Sequence, residues 1–284
     1  MKYGALACLI FSLLTAAAAG QSVSGSPALD WERGELVLDI RLEIEPELRL
    51  HPKARFLAEA EIEKQLPAMF LEGAGKILLD SYTTLAERLQ EDPDLFRRFQ
   101  ALAAAGIRSQ SRFSAELEHV DVSYTYPFYG EGGLIAQLIR HTRARPLPKV
   151  LGFVPSRTFT GLVIYAAGDF PVHGKSGEEA VRPAMLPDLY DEDMNLIFSA
   201  AAADPEYLRR WGCAGYVRGV DRFEAGGYTG RIGLNPLKTM ARGVFGKNST
   251  DIIIPREVAR QLLSVEENHR LLLEGRVLVV LNGE

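Results

Sequence analysis

Glu35-Leu-Val-Leu-Asp-Ile-Arg-Leu-Glu-Ile-Glu45 decides the class of fold. Leu36, Leu38, Ile40, Leu42 and Ile44 fall on one side of an extended chain, and Asp39, Arg41 and Glu43 fall on the other. That period of two belongs to a strand with one buried face. Pro46 ends the run. The same period returns further on: Leu117, His119, Asp121, Ser123 and Thr125 share one face, and Val120, Val122, Tyr124 and Tyr126 share the other. Between these strands the period becomes helical. Ala54–Gln65 is rich in Ala and Glu and predicts a helix with Phe56, Leu57, Ala60 and Ile62 as its apolar stripe, interrupted by Pro67. Thr84–Ala105 predicts a second helical stretch, broken at Pro93 because Asp92 before it is biased out of the helical region. Leu134–Arg140 predicts a short helix.

The second half opens with the apolar run Gly161–Ala166, suited to a central strand. A Gly- and Pro-rich excursion from Gly168 to Pro187 follows. Strands are expected at Met194–Phe198, Leu237–Ala241, Asp251–Ile254 and Arg276–Leu281, with a helix at Pro255–Glu267. A further helix is expected at Asp204–Trp211, where Asp204 is the N-cap and Pro205 the first helical residue. Strands and helices mix without strict alternation, which predicts an α+β fold with mixed sheets, helices on one face and two subdomains. Arg143–Lys149, charged and twice interrupted by proline, is the expected linker. The organisation read from the sequence is therefore a signal peptide over residues 1–20, a flexible Ser- and Gly-rich segment over 21–30, and α+β domains over 31–149 and 150–284.

Composition sets the compartment. Lys2, the apolar run Ala5–Leu14 and the small residues Ala16–Gly20 have the layout of a cleavable signal peptide, too short to span a bilayer. Its removal takes one Lys and no acid, leaving 31 basic and 37 acidic residues, and so an acidic chain unsuited to nucleic acid. Cys8 lies inside the apolar run, before most of it, so a lipid anchor there is disfavoured. Cys213 is then alone in the processed chain, and an internal disulfide is impossible. The expected location is the periplasm. No later segment has the apolar length of a membrane span, and no internal repeat is present.

Three motifs come close to a chemistry and miss it. Gly168-Asp-Phe-Pro-Val-His-Gly174-Lys-Ser176 follows a strand as a phosphate loop does, but five residues separate its glycines where four are needed, and Pro171 removes a backbone donor. It reads as an exposed loop. Asp191-Glu-Asp193-Met-Asn195 matches the start of a calcium loop, yet Leu196 stands where Gly is needed and Ala202 where a bidentate Glu is needed. The histidines His51, His119, His141, His173 and His269 have no metal-ligand spacing. Cys213 has no local base and reads as a buried thiol. No nucleophile elbow is present. The sequence thus names no catalytic, cofactor-binding or metal-ligating residue, and no cofactor. Tyr124, Tyr126, Phe128 and Tyr129 form an aromatic cluster that either lines a binding groove or packs a sheet.

A resemblance begins at Thr160. The blocks that carry it are Thr160-Gly-Leu-Val-Ile-Tyr-Ala166, Arg182-Pro-Ala-Met-Leu-Pro187, Asp191-Glu192 before Leu196-Ile-Phe198, and Gly212-Cys-Ala-Gly-Tyr216. Arg231-Ile-Gly-Leu-Asn-Pro-Leu237, Thr250-Asp-Ile-Ile-Ile254, and Leu272-Leu273 with Arg276-Val-Leu-Val-Val280 complete it. Their order over Thr160–Leu281 resembles the bacterial envelope lipoprotein family that includes the flagellar-associated proteins FlgP and FlgT. Many members are lipidated, whereas this chain lacks a convincing lipobox, and Gly168–Glu179 interrupts the usual opening. The resemblance implies a non-enzymatic envelope component that meets other envelope or flagellar proteins, or copies of itself. Exposed loops at Phe170–Pro183 and Asp221–Gly230 are the expected contact points. The alternatives from other classes are a periplasmic small-ligand or glycan-binding module and, behind it, a hydrolase.

Overall fold

A computed structural model describes residues 23–150 and 154–283. The expected signal peptide, with Cys8, lies outside the described residues. The first unit is an antiparallel sheet in the order β1-β2-β4-β3, with β1 at Val23–Asp30, β2 at Glu35–Glu43, β3 at Ile107–Phe113 and β4 at His119–Pro127. Leu36, Leu38, Ile40 and Leu42 of β2 and Val120, Val122, Tyr124 and Tyr126 of β4 are buried, as the alternation predicts. Leu117 falls outside β4, in the turn before it, with φ of 53°. Two strands carry no apolar alternation and escape the sequence reading. β3 is a polar edge strand. β1 corrects the expected flexible segment, since Val23–Asp30 pairs with β2 over its whole length. Its Ser, Gly and Pro residues suit an edge strand, where one side of the backbone needs no partner.

α1 (Pro46–Arg49) is a single turn, and α2 (Ala54–Gly75) is the helix that covers the sheet. Pro67 lies inside α2 rather than ending it. Proline in a helix interior costs about 3 kcal/mol, but Leu66, Phe70 and Ala74 beyond and beside it are buried. Burying one large apolar side chain contributes about 1.5–3 kcal/mol, so the sheet holds the helix together past its proline. The buried stripe is Ala54, Ala58, Ile62, Leu66, Phe70 and Ala74. Of the expected stripe Ile62 is buried, whereas Phe56 and Leu57 are 69% and 39% exposed. Gly73 allows the close approach of helix and sheet, for a Cβ there would stand 2.8 Å from Pro27. α3 (Leu85–Glu91) and α4 (Pro93–Leu102) follow the sequence reading, with a capping box between Thr84 and Glu87 and Asp92 capping α4. Leu134–Gln137 is one turn of 3₁₀-helix.

The second unit holds a parallel sheet in the order β10-β14-β5-β11. Its strands are β5 at Leu162–Ala166, β10 at Gly215–Arg218, β11 at Leu237–Met240 and β14 at Val277–Leu281. Both faces are covered. Val163, Val217, Leu278 and Val280 pack with Ile232, Phe223 and Tyr228, from or beside α6 (Val220–Glu224) and α7 (Thr229–Ile232). The opposite face meets a mixed sheet in the order β12-β13-β8-β9. Those strands are β8 at Leu189–Asp191, β9 at Leu196–Phe198, β12 at Gly243–Phe245 and β13 at Asp251–Ile254. The Gly- and Pro-rich excursion contains a hairpin of β6 (Asp169–Pro171) and β7 (Glu178–Ala180). α5 (Pro205–Trp211) is capped by Asp204 as expected. The expected helix Pro255–Glu267 is two, α8 (Arg256–Leu263) and α9 (Glu266–Leu273). Buried Asn268 explains the break, because its amide donates to the Gln261 carbonyl at 3.1 Å and its oxygen accepts from Phe159 N–H at 2.9 Å.

The architecture is α+β, with helices on one face of each main sheet. One continuous core runs through both units and includes Leu147. The expected linker is therefore packed: Arg145 N–H donates to Ala201 O at 2.9 Å. The units also meet where Met185 and Leu186 donate to the carbonyls of Leu78 and Leu79, at 2.9 and 2.7 Å. Among the described residues no helix is long and apolar enough to cross a membrane.

Candidate functional site

Each near-miss motif has an internal use. Lys175, in the hairpin that mimics a phosphate loop, donates to Gly246 O at 3.0 Å. Asp191 closes the β8–β9 turn: its Oδ1 accepts from the N–H of Asp193 at 3.0 Å and of Asn195 at 2.8 Å, and its Oδ2 from the Asn195 amide at 2.9 Å. Burial pushes the Cys213 thiol up to about 12, which leaves it protonated at neutral pH. His141 and His269 lie 3.0 and 2.8 Å from the carbonyl oxygens of Ala203 and Leu263. Among the described residues no three His, Cys, Asp or Glu side chains gather as a metal would need. Tyr124, Tyr126 and Phe128 are buried in the core, and Tyr129 packs against it. Tyr126 lies 4.3 Å from Phe70, ring to ring, and donates its hydroxyl to Ala103 O at 2.8 Å.

The blocks that carry the resemblance interlock. Thr160 Oγ1 donates to Ile232 O at 2.7 Å and accepts from Asn235 N–H at 2.9 Å. A Cβ on Gly161 would stand 2.6 Å from the Ile232 backbone, and one on Gly233, whose φ is 69°, would stand 2.4 Å from Thr160. Tyr216 donates to Ala184 O at 2.9 Å and accepts from Ala184 N–H at 3.1 Å, which joins two further blocks. Arg231 has no carboxylate partner among the described residues. It donates to Trp211 O, Gly212 O and Gly275 O at 2.9, 3.1 and 3.0 Å, and desolvation brings its pKa down to about 10. Three carbonyls thus replace its water and fix three loop positions.

A pair of perturbed carboxylates lies where the units meet, and sequence reasoning missed it. Asp188, just before β8, and Asp251, at the start of β13, come together beside Asp80 and Ser81 of the first unit. Asp188 N–H donates to Asp251 Oδ1 at 3.1 Å, and Asp251 N–H donates to Ser81 Oγ at 3.2 Å. Desolvation first, then the neighbouring Asp251 charge, raises the Asp188 pKa to about 7, although Tyr190 donates to its carboxylate at 3.4 Å. Desolvation raises Asp251 as well. Such a carboxyl holds a proton near neutrality, as a general acid does. The gap it borders, lined also by Leu189, Phe198, Cys213 and Ile252, is only about 20 Å³. That is room for about one water and not for a substrate. The two carboxylates therefore belong to the joint between the units and not to a substrate cleft. No sequence signal marks it, since 63 residues separate the two carboxylates.

Two family models match the chain. Residues 161–283 are similar to the family described as Treponema pallidum Tp0624, second domain, and residues 22–131 to that described as Treponema pallidum Tp0624, N-terminal domain. The matches fall in chain order on the parallel-sheet and antiparallel-sheet units, which supports two subdomains. Neither description links the chain to FlgP or FlgT. No curated protein matches the chain.

Proposed function

We propose that the chain is a non-catalytic, exported component of the bacterial cell envelope that acts by holding other envelope proteins, flagellar ones included, or further copies of itself. One observation carries this reading: the residues of the resemblance, Thr160, Ala184, Tyr216, Arg231, Gly233 and Asn235, close contacts inside the fold instead of converging on a cleft. A family defined by such residues is held together by shape. Recognition is then left to exposed surface. The tip of the β6–β7 hairpin, His173–Glu179, is exposed and suits that role, as does the Asp221–Gly230 segment.

The test is crosslinking in intact cells followed by mass spectrometry, together with fractionation and a motility assay of a deletion strain. Crosslinks to envelope proteins from the hairpin tip are expected. A protein that fractionates free, crosslinks to nothing and leaves motility intact on deletion overturns the reading.

A further inference from the structure

A cleft of about 570 Å³ lies between the turn joining β1 to β2 and the corner between β10 and α6, and its lining includes Leu29, Trp31, Arg33, Arg218 and Arg222. Three arginines line it in a chain whose net charge is −5. Two carboxylates also line it, and both are engaged. Glu32 accepts from Arg222 at 3.0 Å and from the Tyr228 hydroxyl at 2.8 Å. Asp30 Oδ1 accepts from the N–H groups of Glu32 and Arg33, at 3.1 and 2.9 Å. Arg33 stands 3.8 Å from Asp30 and 3.9 Å from Glu35, a loose and exposed arrangement of little strength. Arg218 has no ion pair among the described residues. It ends β10 beside Leu281 at the end of β14, the carboxyl edge at which open parallel sheets leave ligand crevices. One wall is rigid: the Trp31 ring meets Phe128 and Tyr216 edge to face, at 5.1 and 5.6 Å between centroids.

We propose that this cleft binds a small acidic ligand, a carboxylate or phosphate borne on a ring or apolar scaffold. Arg218 takes the acidic group, and Leu29 and Trp31 receive the scaffold. A guanidinium matches either acid with two parallel hydrogen bonds, and a ring against Leu29 and Trp31 adds apolar burial. The proposal does not rest on the envelope role, because binding is measured on the isolated protein.

The experiment titrates the processed protein, as secreted by an expression host, with benzoate, phenyl phosphate and the neutral benzyl alcohol. Calorimetry and tryptophan fluorescence are the readouts, at roughly 0.15 M salt. Binding by at least one of the two anions, and not by the alcohol, is expected, and the tighter anion identifies the acid. Arg218→Ala weakens it about tenfold or more, the effect of one lost charged hydrogen-bonding group, with an unchanged melting temperature. Arg218→Lys loses less, since it keeps the charge without the fork. Absence of binding by both anions at millimolar concentration, equal binding of the alcohol, or an unweakened Arg218→Ala variant overturns the proposal.

Discussion

The two main sheets of this protein bury their residues by different rules. In β4, buried and partly open residues alternate along the strand, because α2 covers one face and water meets the other. In β14 all five residues are buried, because α6 and α7 lie on one side and a second sheet on the other. Antiparallel sheets tolerate one wet face, while parallel strands are usually covered on both. The charges divide in the same way. On the wet face Arg41 meets Asp121 at 2.6 and 3.0 Å in open solvent. In and around the second unit the charged ends of Arg231 and Asp188 are strongly desolvated with no ion-pair partner among the described residues, which makes them far more consequential.

The largest effects should come from testing that contrast strand by strand. Val279→Asn and Val280→Asn are both expected to destabilise by about 3 kcal/mol or more, since each places an amide in a core. In β4, Val122→Asn should behave likewise while its neighbour Ser123→Asn changes stability by about 0.5 kcal/mol or less. Urea midpoints measure all four. A tolerant Val280 would mean that the α6–α7 face is open in solution.

Arg231→Met comes next. It strips three carbonyls of their donor, and each buried group left unpaired costs about 1–3 kcal/mol, so a loss of about 3 kcal/mol is expected in the same urea assay. Arg231→Lys should rescue little of it, because an ammonium cannot span the Trp211, Gly212 and Gly275 carbonyls as a fork does.

Asp188 gives a smaller effect of opposite sign. Its folded pKa of about 7 lies above the ordinary aspartate value of 3.8. As pH rises from about 4 towards 7 the unfolded chain gives up this proton first, so stability falls across that window. Asp188→Asn removes the ionisation, and is expected to flatten the slope and to stabilise the protein above pH 7 by about 2–3 kcal/mol. Thermal melts between pH 4 and 8 decide it, and an unchanged slope would place the titrating group elsewhere. Arg41→Ala on the wet face, like Ser123→Asn, has a small effect, about 1 kcal/mol or less and reduced further by salt.

Much of this fold is legible along the chain because its signals are local. Alternation marks β2 and β4. Thr84, Asp92 and Asp204 mark helix starts, since each accepts backbone N–H groups two or three residues ahead. β1 and β3 show no pattern, because an edge strand is held by backbone pairing and makes small demands on its side chains. α2 passes through Pro67 since the sheet beneath offers more than the proline removes. The aromatic cluster at Tyr124–Phe128 is equally ambiguous in sequence, where ring-lined grooves and ring-filled cores look alike.

By itself the sequence determined the class of fold, the facing of its clearest strands and the lack of any familiar catalytic motif, all through residues a few positions apart. Only the tertiary structure decided that Asp188 and Asp251 meet at the joint between the units, that Arg231 is caged by carbonyls and that Arg33, Arg218 and Arg222 line one cleft. The reason is physical: desolvation and charge proximity depend on distance through space, and each of these sites joins segments far apart in the chain.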